Sequence, residues 1–486
     1  MKIRHIFTLL AASAMLTSCG FLDEYNPNSV TAGNYYTSED DIVASLNGVY
    51  TSLTQSYVAN NYHYFTDVRA NTTVVTSSGA NSGIPYQFYN YTLTEENSYV
   101  YNRYTQLFKT ISRANTLFAH LDDVSYASPA ARDTYEAEAR FLRALAYYWL
   151  VTEWGDVPLV LKELESTEEV RANNYRRPKA EIYQAIFDDL KYVTESPLSD
   201  VQPASACGKV SKAAAWALWG KALLQQACDE GFAGSKPALL REAIEKLSAA
   251  WDLRKFGELA SVPYSTIWDL STQKSCVESI FQVNYLQGNA DLGSVWNYLF
   301  GPEDAGVTSQ KKGELQNVTT RSVYDSFEPG DIRRTFLRAT NKAGQTYYHT
   351  MKYADLECGA NGYGGNNWIV LRYADVALML AEAYYWSGAK PTAEIWLNKV
   401  RERAGLNDWA GDDLRQGIYD ERMHEFMQEG LRWQDVLRMY DRAEMLEHFG
   451  AINSNFSEKD LLLPIPYNER NLNPEGLYQN PGYEND

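Results

Sequence analysis

Apolar positions recur at helical spacing through most of the chain. In SEDDIVASLNGVYTSLTQ, Ile42, Leu46, Val49 and Leu53 share one face, which predicts a helix. Ser38 is its candidate N-cap, with Glu39, Asp40 and Asp41 in the first turn. SYVYNRYTQLFKTISRANTLFAHL puts Tyr104, Phe108, Ile111 and Leu117 on a face. ARDTYEAEARFLRALAYYWLVTEWG runs to a stop near Gly155. RRPKAEIYQAIFDDLKYVTES brings Ile182, Ile186, Leu190 and Val193 into register. KVSKAAAWALWGKALLQQA and ALLREAIEKLSAAWDL form a pair, as do LRYADVALMLAEAYYWSG and PTAEIWLNKVRERAGL. A last helix is predicted over about 417–449.

Two stretches lack a period. One lies at about 57–98 and the other at about 256–366, and both are polar, glycine-punctuated and aromatic. The C-terminal LLLPIPYNERNLNPEGLYQNPGYEND is rich in Pro and Asn and is expected to be irregular. In several helix pairs, small residues meet large aromatics and aliphatics: Ala381, Ala383, Tyr384 and Gly388, then Ala393 and Leu397. That is the tetratricopeptide pattern, in which each pair buries its face on the next. The fold expected is mostly α, with such pairs forming one extended domain over 38–486 and an irregular, loop-rich ligand side.

The chain start changes the picture. Lys2 and Arg4 precede an apolar run, Ile6 to Leu16, that is too short to span a bilayer. Leu16-Thr17-Ser18-Cys19 is similar to a bacterial lipobox. Residues 1–18 are therefore expected to be a lipoprotein signal peptide, with Cys19 the lipid attachment site and 19–37 a tether. One acyl chain anchors marginally and two hold firmly.

Net charge is −18, which argues against nucleic acid as a partner. The 36 Tyr, 12 Trp and 17 Phe suit either a helical core or a surface that stacks on sugars. Four cysteines follow Cys19: Cys207, Cys228, Cys276 and Cys358. A helix between Cys207 and Cys228 would span about 25 Å, against the roughly 7 Å a disulfide allows, so these two are expected not to pair.

The motifs, taken in order, resemble the SusD/RagB family of surface lipoproteins over almost all of the mature chain. They are YYTSEDDIVASLNGVYTSL, EARFLRALAYYWLVTEWGDVPLVL, RPKAEIYQAIFDDL, GKVSKAAAWALWGKALL, LRYADVALMLAEAYY, ERMHEFMQEGLRWQDVLRM and the closing LPIPYNERNLNPEGLYQNPGY. The resemblance implies a helical fold with tetratricopeptide-like pairs. It implies a lipid-anchored place on the outer membrane, facing the exterior, and a SusC-type TonB-dependent barrel as partner. It implies a binding protein, not an enzyme, that captures oligosaccharides and passes them inward. A peptide-binding relative of the same architecture is the alternative, and a protein-only tetratricopeptide scaffold a third reading.

Flat aromatics bind the C–H faces of pyranoses by area and shape. Aromatics within helices, such as Tyr147, Tyr148, Trp149, Trp216 and Trp219, are expected in the core. Those in the early irregular stretch are the ligand candidates: Tyr62, Tyr64, Phe65, Arg69, Tyr86, Phe88 and Tyr89. The resemblance adds a second segment past the middle, here containing Trp268, Tyr285, Trp296 and Tyr298. There is no G-x-S-x-G. The Gly208-Lys209 pair lacks the rest of a P-loop, and His424-Glu425 lacks the second histidine of a zinc helix. No catalytic residue, cofactor or metal is expected.

Overall fold

The computed structural model describes residues 35–76, 83–301, 315–358 and 362–483. The expected signal peptide, Cys19 and most of the expected tether lie outside them. The first helix, α1 (Glu39–Ser52), begins where the sequence places its cap. The Asp41 carboxylate accepts from the Ser38 N–H and hydroxyl, at 2.9 and 2.8 Å. Ile42, Leu46, Val49 and Leu53 are all buried.

The body is a run of helices, each packed on the next. A short α2 (Ile84–Asn90) precedes α3 (Ser98–His120), α4 (Pro129–Trp154), α5 (Lys179–Glu195), α6 (Lys212–Cys228) and α7 (Lys236–Asp252). Beyond an irregular region with the short α8 (Trp296–Phe300) come α9 (Tyr373–Trp386) and α10 (Lys390–Arg403). α1 packs on α3, α3 on α4, α4 on α5, α5 on α6, α6 on α7, α7 on α9, and α9 on α10. Small residues set the approach, as the tetratricopeptide pattern requires. Ala381, Ala383 and Ala393 are fully buried. A Cβ on Gly220 of α6 would sit 2.5 Å from Leu247 Cγ on α7, so only glycine allows that contact.

α6 separates Cys207 from Cys228 as expected, and the two do not pair. No described helix is long and apolar enough to cross a membrane.

The helix predicted over 417–449 is three helices: α11 (Leu414–Glu425), α12 (Arg432–Met439) and α13 (Arg442–Ile452). The first break has a local cause. Gln428 and Gly430 take left-handed φ of 57° and 88°. A Cβ at Gly430 would lie 2.3 Å from Tyr62 Cδ2, so the chain turns where Tyr62 enters.

The break gathers charge in the core. The Glu425 carboxylate meets Arg333, Arg372 and Arg403, while Arg372 also bonds Glu278 and Glu429. Arg422 is shared by Asp375, Glu382 and Asp435. Burial alone would raise the Glu425 carboxyl, but Arg403, Arg372 and Arg333 outweigh that and hold it below the usual range.

Short strands occur in both aperiodic stretches and in a few places outside them. β1 (Thr73–Val75), β5 (Asn317–Thr319), β7 (Gln345–Thr350) and β6 (Leu337–Lys342) form a sheet in the order β1-β5-β7-β6, all pairs antiparallel. Thr73 pairs with Thr319, joining segments almost 250 positions apart. β2 (Val157–Pro158) pairs with β3 (Arg176–Arg177), and β4 (Ser279–Val283) with β8 (Trp368–Arg372).

The C-terminal segment is largely irregular, yet it is docked. The Leu463 N–H donates to Glu153 O at 2.8 Å, and Trp154 Nε1 to Pro464 O at 3.0 Å. Asn480 Nδ2 donates to Trp154 O, and Arg176 Nη2 to Asn480 Oδ1. Leu463, Ile465, Leu477 and Tyr483 are buried. The LPIP and QNPGY motifs thus fasten the chain end onto the C-terminus of α4.

Candidate functional site

The two candidate segments do meet, but in the interior. Tyr62, Tyr64, Phe65, Arg69 and Phe88 of the first, and Trp268, Tyr285 and Trp296 of the second, are all buried. The Trp296 ring contacts Tyr62, Tyr285 and Tyr353 at centroid distances of 6.1, 5.1 and 5.2 Å. Its Nε1 donates to Asn60 O at 3.3 Å. Trp268 turns its face to the buried Lys352 ammonium, 4.9 Å away. That ammonium donates to Glu429 and to the carbonyls of Glu425 and Met427, and burial pushes its pKa down to about 8. Arg69 lies 4.2 Å over Trp433 and donates to Asp460 O. Phe65 packs edge-on against Phe88 and under Arg103, and Tyr64 accepts from Asn317 Nδ2 at 3.2 Å.

These eight side chains offer no face to a ligand in this structure, which corrects the reading of their segments as open loops. Tyr62, Tyr64, Phe65, Phe88, Trp268 and Trp296 sit on helical turns too short to show a period in the sequence, so tertiary packing decides which way they face. Aromatic pairs of this kind add about 0.5–1.5 kcal/mol each beyond their buried area.

Three of the candidates keep exposed surface: Tyr86, Tyr89 and Tyr298. α2 is a one-sided helix. Phe88 and Pro85 are buried, while Tyr86 and Tyr89, three residues apart, pack against the core and keep part of their surface open. Their rings stand edge to face, 6.4 Å between centroids and 80° between planes. Asn97, the cap of α3, fixes α2 by donating to Ile84 O and to Gln87 Oε1 at 2.7 Å. The C-terminal end of α2 is a left-handed Tyr91 whose hydroxyl donates to Arg69 O. In α8 the Trp296 and Phe300 rings turn inward, and Tyr298 is half-buried.

A loop pair stands next to α8. Ser294 and Gly364 exchange both backbone hydrogen bonds, at 2.9 and 2.8 Å. The Asp355 carboxylate accepts from Gln287 Nε2 and from the Gly365 N–H, both at 2.8 Å. Beneath lie polar atoms without partners: Ser294 Oγ, both amide atoms of Asn297 and Asn366 Oδ1. Above, Leu286, Leu292 and Leu356 are exposed at 53, 41 and 56 %. Sequence reasoning did not single out these leucines; LQGNADLGS reads as a turn, and a leucine in a turn gives no sign of its orientation.

Among the described residues no group of three or more His, Cys, Asp and Glu is placed to hold a metal ion. Burial pushes His63 and His424 down to about 3, and His349 down to about 4. This face offers aromatic rings for stacking and polar groups for hydrogen bonds.

Comparison with known proteins agrees from both ends of the chain. The SusD family model matches residues 300–483, and the model described as starch-binding associating with outer membrane matches residues 20–224. SusD-like protein P2 of Formosa agariphila is 27% identical over 99% of both chains. A SusD superfamily protein from Parabacteroides distasonis shares the fold at a TM-score of 0.76 and 22% identity, over 94% of this chain and 100% of that one. Surface glycan-binding protein A of Bacteroides thetaiotaomicron, solved with laminarihexaose, does so at 0.74 and 20%, over 91% and 99%. The helix pairs, the order of the motifs and these matches lead to one conclusion: the chain belongs to the SusD/RagB family.

Proposed function

We propose that this protein is a surface lipoprotein that captures oligosaccharides and hands them to a SusC-type TonB-dependent barrel in the outer membrane. Lipid at Cys19 keeps the body beside that barrel, on the exterior side. The protein binds its ligand and leaves it chemically intact. The observation that carries the reading is the Tyr86–Tyr89 pair, two partly buried rings at 6.4 Å that reach the surface on a helix fixed from both ends. It is supported by the outer-membrane starch-binding description of one matching family model and by the laminarihexaose complex of a relative in fold.

Each ring stacked on a pyranose contributes about 1–2 kcal/mol at 25 cal/mol per Å². Two or three together give millimolar affinity, about −4 kcal/mol, once association costs are met. Tight capture then requires the barrel's contribution.

Calorimetric titration of the purified protein with oligosaccharides, including laminarihexaose, tests the proposal. The expected result is weak binding without product. Tyr86→Ala or Tyr89→Ala weakens it about 5–30-fold, with the melting temperature unchanged. Accumulating product, or full binding by both variants, overturns it. One observation favours a second reading, a peptide ligand: the exposed trio Leu286, Leu292 and Leu356 would suit apolar side chains better than sugar hydroxyls. Binding of an apolar peptide but of no glycan would select it.

A further inference from the structure

A cavity of about 410 Å³ opens where the turn at 201–211 meets the segment 273–282, at the N-terminal end of α6. None of its lining residues belongs to α2, to α8 or to the leucine-bearing loops. Its inner wall includes Phe281 and Ile280. Its charged lining residues are Lys209, Lys255 and Lys274, with no acidic side chain among the rest. In a chain of net charge −18, this is a local inversion of sign.

The three lysines are not equivalent. The Lys209 ammonium sits 3.2 Å from the Glu138 carboxylate and 4.4 Å over the Tyr50 ring, so it is held in place. Lys255 and Lys274 are exposed and make no ion pair among the described residues. A second observation is independent of charge. Tyr373 also lines the cavity, is 2 % exposed, and its buried hydroxyl has no hydrogen-bond partner. A buried hydroxyl left without a partner costs stability, so an acceptor supplied from the cavity would be favourable. Two unpaired ammonium groups and an unpaired hydroxyl, over an apolar wall, are a donor set without an acceptor. Charged acceptors give the shorter and stronger hydrogen bonds. The volume falls in the ~300–1,000 Å³ range of small-ligand sites.

We propose that this cavity binds an acidic sugar unit, one bearing a carboxylate or a sulfate ester, with the anion between Lys255 and Lys274 and the ring in the cavity beside them. The inference rests on the glycan reading above and adds a second, charge-selective site to it. The shared chemistry is a sugar-borne anion, and the probes separate its forms.

The test titrates the purified protein with tri-galacturonate, a 6-O-sulfated galactose disaccharide, galactotriose, laminarihexaose and sodium sulfate. At least one acidic sugar should bind, and its affinity should fall as salt rises. The double variant Lys255→Ala/Lys274→Ala should weaken that binding about tenfold or more, and Tyr373→Phe about threefold, with laminarihexaose binding unchanged. Both lysines are exposed, so the double variant should fold, which its melting temperature checks. Acidic-sugar binding that survives the double variant, galactotriose binding as tightly as tri-galacturonate, or sulfate alone binding as tightly as the acidic sugars overturns the proposal. If laminarihexaose and the other neutral sugars bind while no acidic one does, this inference alone fails. If no sugar of either kind binds, the glycan reading fails with it.

Discussion

Tyr62 lies flat on Trp368, with ring centroids 4.9 Å apart and planes 5° from parallel. Trp149 of α4 covers the other face of Trp368 at 5.6 Å and 14°. A tyrosine from the irregular early stretch thus closes a three-ring stack built on a long helix and on β8. Its hydroxyl bonds Gln428 O and Tyr353, so the polar end is occupied as well. Aromatic rings here lock segments remote in sequence onto one another.

Trp296→Ala is therefore expected to act on stability rather than directly on ligand. Removing a fully buried tryptophan costs about 3–5 kcal/mol. Chemical denaturation should show that loss, whereas Tyr86→Ala should leave the midpoint in place. Equal midpoints for Trp296→Ala and wild type would mean that the ring is not enclosed.

Ala381→Leu should destabilise by about 1–3 kcal/mol, because the packed α9 interior leaves no room for an isobutyl group. An unchanged melting temperature would contradict the burial of α9.

Glu425→Gln should cost about 3–5 kcal/mol, since it leaves Arg333, Arg372 and Arg403 buried without their shared carboxylate. The double variant Glu425→Gln/Arg403→Met is expected to recover part of the loss. A single variant as stable as wild type would show that water reaches the network.

Asp67 gives a pH test. Burial pushes its carboxyl up to about 7, with Glu429 and Asp435 adding to the rise and Thr66 and Lys352 opposing it. In the unfolded chain it titrates near the ordinary ~4. Between those values the folded protein holds a proton that the unfolded chain has lost. Its contribution is thus fully present below about pH 4 and lost as pH rises through about 7. Asp67→Asn stays neutral throughout, so the variant should gain on wild type between pH 4 and pH 8, by on the order of 2–4 kcal/mol. Thermal melts at the two pH values check this, and a gap that stays constant would place Asp67 in water.

The helices were legible because their apolar residues repeat on a face: Ile182, Ile186, Leu190 and Val193 are all buried. The sheet was not, because three-residue strands such as β1 and β5 carry too few alternations to register, and their partners are remote. ERMHEFMQEGLRWQDVLRM reads as amphipathic with its charges outward. It is buried because Arg372, Arg403, Asp375 and Glu382, from distant segments, neutralise it. Local pattern carries no signal for that. Of the ligand candidates, Tyr86 and Tyr89 had a readable cue in their three-residue spacing opposite Phe88, whereas nothing local separated Tyr62 or Trp296 from a surface ring.

The docked C-terminal segment has a consequence in time. Its partners Glu153, Trp154 and Arg176 belong to the first 180 residues, whereas residues 463–480 are made only after all of the helices they dock on. Until they arrive, the end of α4 has an empty apolar groove and backbone carbonyls with no donor. The chain can gather its helices early but should reach full resistance to proteolysis only once residues 463–480 are in place. A version ending at Leu462 is expected to keep most of its far-ultraviolet circular dichroism, bind a hydrophobic dye and be cleaved near 155–178, where the intact protein is not. Wild-type resistance in that truncated chain would mean that the final segment merely rests on a body already finished.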